Sequence, residues 1–291
     1  MQMQELVPLA PKTTMRIGGN ARYFAELKTT RDAEEAWRFA QEKRLPMVAL
    51  GSGANTVFAD GTIDAVVVHI GANAMEVSGN TVRAETGAML ATVVGTLAKR
   101  GLDLSPLTGI PGTVGGAVFG NAGQGQKGLW LDHYIQTVTV FTEGEWKTFS
   151  KEECAFAYRE SIFKHWPMHD TPIIWKAAFS VPSRASAEIE KDISLLLRKR
   201  AIAQPYTRTA GSCFKAQPDG TPAWKLIEAA GLKGTTVGDV QVSEKHANFL
   251  INTGSASFDD IRKTVEKIRS DVPQPLQLEM RLIDADGRVM S

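Results

Sequence analysis

The chain has 291 residues, of which 43% are hydrophobic and 22% are charged, and its formal net charge is +1. This composition is that of a globular protein with a large core, and its balanced charge gives no electrostatic reason to bind nucleic acid. No run approaches the roughly 18 apolar residues of a membrane span, and the start, MQMQELVPLA, lacks the parts of a secretion signal. Two cysteines suit a reducing cytoplasm, and five histidines show no zinc-type spacing. We therefore expect a cytoplasmic protein without a metal site.

The first seventy residues are predicted to form a small α/β unit. TTRDAEEAWRFAQEKR, residues 29–44, has the pattern of an amphipathic helix, with Asp32 followed by Glu35 as its cap. LPMVALGSGAN predicts a buried strand that runs into a turn, and IDAVVVHI predicts a second strand. The apolar stripe of the helix is formed by Ala33, Ala36, Trp37 and Ala40.

The next segment, to about Val181, is predicted to be an α+β block. TVRAETG, IQTVTVF and IIWKAAFSV are typical of strands, and residues 88–100 predict a helix that Gly101 stops. In the middle lies GIPGTVGGAVFGNAGQGQ, residues 109–126, in which seven of eighteen residues are glycine. Such bare backbone indicates positive φ angles or a ligand that lies against the main chain.

The last hundred residues predict a smaller domain that begins just before a long helix at 186–204. Pro205 ends that helix, and PAWKLIEAAGLKG and residues 258–270 predict two more helices. The final strand is PLQLEMRLI, where alternation places Glu279 and Arg281 on one face. The predicted inward residues of the long helix are Ile189, Ile193, Leu196 and Leu197.

Two glycine-rich turns, Gly51 to Asn55 and the stretch at 109–126, could hold a pyrophosphate between them, because successive bare N–H groups form anion-binding nests. Neither fits the glycine pattern of a Rossmann site. The alternative is that each is only a tight turn. Likewise, the side chains of Asn55 and Asn121 either bind a ligand or satisfy turn backbone.

Three further clusters stay open on residue patterns alone. Arg159 in FAYRESIFK either clamps a carboxylate or phosphate, or pairs with Glu160 on the surface. Ser212 in TAGSCFK is either a reactive hydroxyl or a turn serine, and no hydrolase motif surrounds it. Glu279 with Arg281 is either a site or a solvated strand face, and Cys213 is typical of a small buried residue.

Taken in order, these stretches resemble the UDP-N-acetylenolpyruvoylglucosamine reductase family. The resemblance extends from TTMRIGGNARYF through GSGANTVFADG, GIPGTVGGAVFGNAG, YRESIFK, GSCFK and VSEKHANFLIN to LEMRLI. The ordered set is specific although no single motif is. The absence of an insertion near YRES resembles the shorter subtype of the family.

The resemblance implies an α+β fold with a vanillyl-alcohol-oxidase-type FAD-binding region and a smaller C-terminal substrate domain. We expect FAD-binding subdomains at residues 1–70 and 71–184 and the substrate domain at 185–291. It further implies catalytic roles for Arg159, Ser212 and Glu279, with Ser212 as the proton donor. The residues expected to bind FAD are Gly51, Ser52, Gly53, Ala54, Asn55, Gly112, Thr113, Gly115, Gly116 and Asn121.

The implied reaction is the NADPH-dependent, FAD-mediated reduction of UDP-N-acetylglucosamine enolpyruvate to UDP-N-acetylmuramate, a step of peptidoglycan precursor synthesis. Noncovalent FAD is expected, because Asn55 follows the first turn where related enzymes attach flavin through histidine. We expect Glu279 to be protonated or to share a proton. Tyr158, Lys215 and Arg281 are expected to bind the substrate, and the protein is expected to be a monomer or a weak oligomer.

Some positions depart from the family pattern. Ser52 and Ala54 replace glycine and serine in the first turn, and Ala216 replaces an asparagine that the resemblance implies for nucleotide binding. Two other interpretations therefore stay open. One is another flavin oxidoreductase of the same fold that acts on a sugar or alcohol. The other is a nucleotide-sugar binding protein without catalytic activity.

Overall fold

The computed structural model describes residues 1–124, 128–166 and 171–290. Gly125 and Gln126, at the end of the glycine-rich stretch, lie outside the described residues. The helices of the described residues are α1 Thr30–Lys43, α2 Leu90–Ala98, α3 Val114–Phe119, α4 Ser186–Ala203, α5 Ala223–Ala229 and α6 Phe258–Asp271. Short 3-10 turns lie at Ala10–Lys12, Ser105–Leu107, Leu131–His133 and Ile162–Lys164.

The strands of the described residues form four sheets. They are β1 Gln4–Pro8, β2 Asn20–Leu27, β3 Met47–Leu50, β4 Thr56–Phe58, β5 Thr62–Ile70, β6 Met75–Ser78, β7 Thr81–Glu85, β8 Ile135–Thr142, β9 Glu145–Ser150, β10 Ile173–Ser180, β11 Thr236–Val237, β12 Val240–Val242, β13 Leu250–Asn252, β14 Arg281–Ile283 and β15 Val289–Met290. The strand orders of the four sheets are β1-β2-β5-β3, β6-β7-β10-β8-β9, β11-β12-β13 and β15-β14-β4.

The chain divides into two compact units. Unit 1 comprises Met1–Gln4, Phe24–Gly51 and Val66–Arg200, and unit 2 comprises Glu5–Tyr23, Ser52–Ala65 and Ala201–Ser291. The predicted three-part division at residues 70 and 184 stays a prediction.

The core of unit 1 lies on the five-stranded sheet, which is antiparallel throughout. Helices α2 and α3 contribute Leu97 and Val118 to it, and the strands contribute Val138 and Ala177, all fully enclosed. In the other sheet, β3 runs parallel to β5, with Met47 opposite Val66. Apolar strand residues without alternating polarity are typical of strands that are covered on both faces.

Unit 2 contains a parallel pairing between distant parts of the sequence. β14 pairs with β4, so that Arg281 lies opposite Thr56 and Ile283 opposite Phe58. Helix α6 packs on β11 and β12 and buries one stripe, formed by Phe258, Ile261, Val265 and Ile268. The β4–β14 pair places the end of the first glycine turn beside the C-terminal strand.

Helix α1 forms where the sequence predicts it, but its cap differs from the prediction. The Thr29 side chain accepts a hydrogen bond from the Asp32 backbone N–H, and the Asp32 carboxylate accepts one from the Thr29 N–H. The capping box is therefore Thr29 with Asp32, and the assignment of Asp32 with Glu35 is wrong. The box needs a spacing of three residues from the hydroxyl that precedes the helix.

Two other predicted elements are corrected. On α4, Ile189 is buried as expected, but Leu197 is 47% exposed. The predicted final strand is regular only over β14, because residues 277–280 instead pair irregularly with the segment around Cys213. Within the described ranges, no helix is long and apolar enough to span a membrane. Nor do three or more His, Cys, Asp or Glu side chains group there as metal ligands would.

Candidate functional site

The predicted site residues fall in both units. Unit 1 holds Gly51, Gly112, Thr113, Gly115, Gly116, Asn121, Tyr158 and Arg159, whereas unit 2 holds Ser52, Gly53, Ala54, Asn55, Ser212, Lys215, Glu279 and Arg281.

The start of the first glycine turn contacts the second glycine-rich stretch. A Cβ atom on Gly51 would lie 2.6 Å from Thr113 Oγ1, so only glycine allows this approach. Both residues belong to unit 1. The two stretches, about sixty residues apart in sequence, are therefore neighbours, as a shared pyrophosphate site requires.

The remainder of the first turn is shaped by the protein itself. Gly53 has φ +66°, and a Cβ there would lie 2.3 Å from the Lys12 carbonyl oxygen. The departures from the family pattern at Ser52 and Ala54 do not strain the backbone, since neither residue has a positive φ. Within the first turn, only Gly53 has a positive φ.

The second glycine-rich stretch contains a short helix, α3, at its centre. Gly112, at φ +120°, leads into α3, and the Thr113 hydroxyl caps that helix by accepting from the Gly116 N–H at 3.3 Å. Gly115 packs against Thr86, whose Cβ would lie 2.9 Å from an added Cβ. The protein thus explains the glycines at 112 and 115.

Gly116 has no such explanation within the described protein. It is exposed, its φ is not positive, and an added Cβ would meet only Thr113 Oγ1, at 3.8 Å. A bare position on the surface of α3 is what a ligand pressed against the main chain requires. The residues present therefore fit a bound cofactor along the first turn of α3.

Asn121 holds the loop that carries Arg159. Its side chain is completely buried; Nδ2 donates to the Ala157 carbonyl at 2.9 Å, and Oδ1 accepts from the Asp132 N–H at 3.1 Å. This geometry favours the interpretation that the Asn121 side chain satisfies backbone. Its contact with a cofactor stays a prediction.

Arg159 is half-buried, and its guanidinium group is oriented by main-chain carbonyls. Nη2 donates to Gly123 at 2.7 Å and Nη1 to Asn121 at 3.4 Å. Its charge also lies over the ring of Tyr158, 5.3 Å from the centroid. Arg159 itself has φ +56°, a conformation that costs a residue with a side chain about 1–3 kcal/mol and persists only where the surrounding contacts fix it.

In unit 2, Ser212 and Glu279 are joined through one carbonyl group. The Cys213 carbonyl accepts from the N–H groups of Glu279 at 2.8 Å and Met280 at 3.2 Å. Asn55 reaches the same place, since its Nδ2 donates to the Glu279 carbonyl at 2.9 Å and its own carbonyl accepts from the Arg281 N–H at 2.9 Å. The fold thus brings together three segments that lie far apart in the sequence.

The neighbouring cations suit an anionic substrate. Lys215 is 8% exposed, and its N–H donates to the Gln277 carbonyl at 2.9 Å. Burial of the guanidinium lowers the pKa of Arg281 to about 10, so the group stays charged at neutral pH. Burial likewise raises the pKa of the Cys213 thiol, which keeps it protonated and unsuited to act as a nucleophile.

Sequence reasoning assigned no specific contact to Asn248. Its side chain binds both main-chain groups of Phe214, two residues beyond Ser212. The sequence signal is an amide with apolar neighbours on both sides, in ANFLI, since a buried amide must find partners. Arg200 was not singled out either, although it lies against the start of the second glycine-rich stretch, where a Cβ on Gly109 would be 2.6 Å from Arg200 Cδ. Burial lowers the pKa of Arg200, and the nearby charge of Arg159 lowers it further.

Comparisons with known proteins agree with this geometry. The UDP-N-acetylenolpyruvoylglucosamine reductase C-terminal domain matches residues 204–282, and an FAD binding domain matches residues 21–150. The UDP-N-acetylenolpyruvoylglucosamine reductase of Synechococcus sp. (strain WH7803) is 37% identical over 279 residues, which cover 93% of this chain and 88% of that protein. That of Carboxydothermus hydrogenoformans is 38% identical over 279 residues, covering 94% and 90%.

The chain belongs to the UDP-N-acetylenolpyruvoylglucosamine reductase family. A solved structure of the Thermus caldophilus member superimposes with a TM-score of 0.82 at 30% identity, covering 97% of this chain and 98% of that one. The predicted family and the vanillyl-alcohol-oxidase-type α+β fold are thereby confirmed. So are the predicted FAD cofactor and the class of FAD-dependent oxidoreductase.

Proposed function

We propose that this protein reduces the enolpyruvyl ether of UDP-N-acetylglucosamine to UDP-N-acetylmuramate, with NADPH as the reductant, in peptidoglycan precursor synthesis. The observation that carries the proposal is the junction at the Cys213 carbonyl, which ties a reactive hydroxyl, Ser212, to the segment that bears Glu279. When bound, FAD would supply the hydride chemistry that links NADPH to the terminal carbon of the substrate double bond. The cofactor residues are those predicted around the two glycine stretches.

Arg159 stabilises the charge that develops during the reaction. Hydride addition to the terminal carbon moves electron density onto the substrate carboxylate. A guanidinium group held in place by two carbonyls needs no reorganisation to meet that charge, and preorganised cations of this kind supply a large part of catalysis. Arg159 is therefore assigned to bind the substrate carboxylate, and Tyr158 to line the adjoining wall of the substrate site.

Ser212 donates the proton that completes the reduction. The carbon beside the carboxylate must gain a proton after hydride has added to its neighbour. Within the described residues, Ser212 Oγ makes no hydrogen bond to another group, so the hydroxyl is available for a substrate. Lys215 supports the serine as a nearby cation, and Arg281 faces the anionic groups of the substrate. Glu279 is assigned a proton-bearing role beside the substrate carboxylate.

The proposal extends to location and assembly. Both cysteines are free and buried, and free thiols without a disulfide suit a reducing cytoplasm. A monomer or weak oligomer in the cytoplasm, with no nucleic-acid partner, is the proposed state.

The test separates the two half-reactions of the purified protein reconstituted with FAD. Without oxygen, NADPH should bleach the flavin, and the enolpyruvyl substrate should restore its colour. Ser212→Ala should bleach normally but recolour about 10²–10⁴-fold more slowly, as expected for a lost general acid. Ser255→Ala, in an exposed loop of the same unit, is the matched control and should behave as the wild type.

Each alternative gives a different result. A nucleotide-sugar binding protein without catalytic activity would show no NADPH consumption. A flavin enzyme for another sugar or alcohol would bleach but would not recolour with this substrate. If Ser212→Ala recoloured at the wild-type rate, the assignment of Ser212 as the proton donor would be wrong.

A further inference from the structure

The segment Ser212–Lys215 is an extended piece of chain pinned from two sides. On one side, the Cys213 carbonyl accepts from Glu279 and Met280, and the Lys215 N–H donates to Gln277. On the other side, Ser212 forms an antiparallel bridge with Phe249. The position of the Ser212 hydroxyl is therefore set by the partners of its neighbours along the chain.

Asn248 supplies most of the hydrogen bonds on the second side of this segment. Its side-chain Oδ1 accepts from the Phe214 N–H at 2.9 Å, and Nδ2 donates to the Phe214 carbonyl at 2.8 Å. Its main-chain carbonyl accepts from the Cys213 N–H at 2.8 Å. One residue thus makes three hydrogen bonds to two consecutive residues, in the manner of a neighbouring strand.

The site offers no replacement for this amide. Asn248 is 6% exposed and Phe214 is 1% exposed, so water cannot readily serve the main-chain groups of Phe214. Without the side chain, a buried N–H and a buried C=O would lose their partners, and the segment would shift to recover them. Such a shift moves Ser212, which lies only two residues away.

We propose that Asn248 is a positioning residue for the proton donor Ser212: its side chain clamps Phe214 and so fixes the Ser212 hydroxyl at the substrate carbon. This inference rests on the proposed function. In this proposal the Asn248 side chain acts on Phe214 and not on the substrate or the cofactor. Its contribution appears only in the step that uses Ser212.

The experiment measures both half-reactions in the FAD-loaded protein carrying Asn248→Asp or Asn248→Ser. Aspartate keeps the size and the acceptor but replaces the Nδ2 donor with a second oxygen that faces the Phe214 carbonyl. Serine is smaller and cannot span both main-chain groups. Recolouring by the enolpyruvyl substrate should slow about 10–100-fold, the cost of a displacement of about 1 Å. Bleaching by NADPH should be unchanged, and the solvent deuterium isotope effect on recolouring should rise.

The matched control is Asn252, another buried asparagine of unit 2. Its Nδ2 donates to the Met15 carbonyl at 2.9 Å and its Oδ1 accepts from the Gly254 N–H at 3.1 Å, so its side chain serves other segments. Asn252→Asp should lower stability and leave the recolouring rate as it is in the wild type. Equal slowing by Asn252→Asp would overturn the proposal, since general loosening would then explain the effect.

A second comparison uses the Ser212→Ala background. If Asn248 acts through Ser212, adding Asn248→Asp to Ser212→Ala should slow recolouring no further. Equal slowing in both backgrounds would overturn the proposal, as would normal recolouring by folded Asn248 variants while Ser212→Ala is crippled. Full-speed recolouring by Ser212→Ala would instead overturn the proton-donor role, and the positioning role with it.

Discussion

The loop that carries Arg159 and the segment that carries Ser212 are held in place by different means. The Arg159 loop uses left-handed backbone, with φ +41° at Asn121 and φ +56° at Arg159. The Ser212 segment is extended and is held mostly by main-chain hydrogen bonds to its neighbours. A buried asparagine completes each arrangement, Asn121 in the first and Asn248 in the second.

The difference follows from what each side chain must do. A guanidinium group is planar, so it can bind a carboxylate with two hydrogen bonds only in the right orientation. The carbonyls of residues 121 and 123 fix the orientation of the Arg159 group. The strained backbone at Arg159 persists because contacts around it determine the loop, including a hydrogen bond from Lys164 Nζ to the Arg159 carbonyl. A serine hydroxyl lies only two bonds from Cα, so an extended segment held between two partners fixes its position to within the choice of χ1 rotamer.

The largest expected effect comes from the cation itself. Arg159→Gln keeps a planar donor but removes the charge, so recolouring of the reduced flavin by the enolpyruvyl substrate should slow about 10²–10³-fold, as when one stabilising donor is removed. Rapid-mixing measurements of both half-reactions would test this. Arg198→Gln, on the exposed face of α4, is the control and should match the wild type. Wild-type recolouring by Arg159→Gln would show that the loop has only a structural role.

The next effect concerns stability, and it separates the two kinds of support. Asn121→Ala removes both side-chain hydrogen bonds and places alanine at φ +41°, so the free energy of unfolding should fall by about 1–3 kcal/mol for the unpaired groups and by about 1 kcal/mol more for the backbone. Urea unfolding would measure it.

Asn121→Gly is the matched variant, because glycine removes the backbone cost but not the loss of the amide. The free energy of unfolding of Asn121→Gly should lie between those of the wild type and Asn121→Ala. If the two variants were equally stable, the left-handed backbone would store no strain, and the contrast with the Ser212 segment would disappear.

Local patterns in the sequence predict much of this molecule, and long-range main-chain contacts explain the rest. Helix α1 and strand β5 follow from periodicity, and the residues Arg159 and Ser212 follow from motifs. The β4–β14 pair and the bonds to the Cys213 carbonyl leave no mark in residue identity, since any residue presents the same N–H and C=O. The exposed position of Leu197 was missed because a helical stripe gives the facing side only to within a residue or two.

The smallest expected effect concerns His246, a titratable residue that contacts Asn248 and so belongs with the Ser212 segment. His246 Nδ1 accepts from the Asn248 N–H at 3.3 Å, and the ring packs on Phe249. Burial lowers the pKa of His246 below its ordinary value of 6.5, and the charges of Glu228 and Lys233 act on it in opposite directions. The neutral ring is therefore favoured in the folded protein. As pH falls below 6.5 the unfolded chain binds the proton first, so the contribution of His246 to stability is complete above that pH and declines below it.

His246→Gln should flatten this part of the pH dependence, because glutamine does not titrate but can still accept a hydrogen bond. Unfolding free energies of the wild type and the variant, measured from pH 7 downwards, should converge as the pH falls through the region just below 6.5. Since the carboxylates that titrate lower on the scale are common to both proteins, they cancel in the difference. Parallel curves would mean that protonation of His246 is not coupled to folding, and the Asn248 clamp would then rest on Phe214 and Cys213 alone.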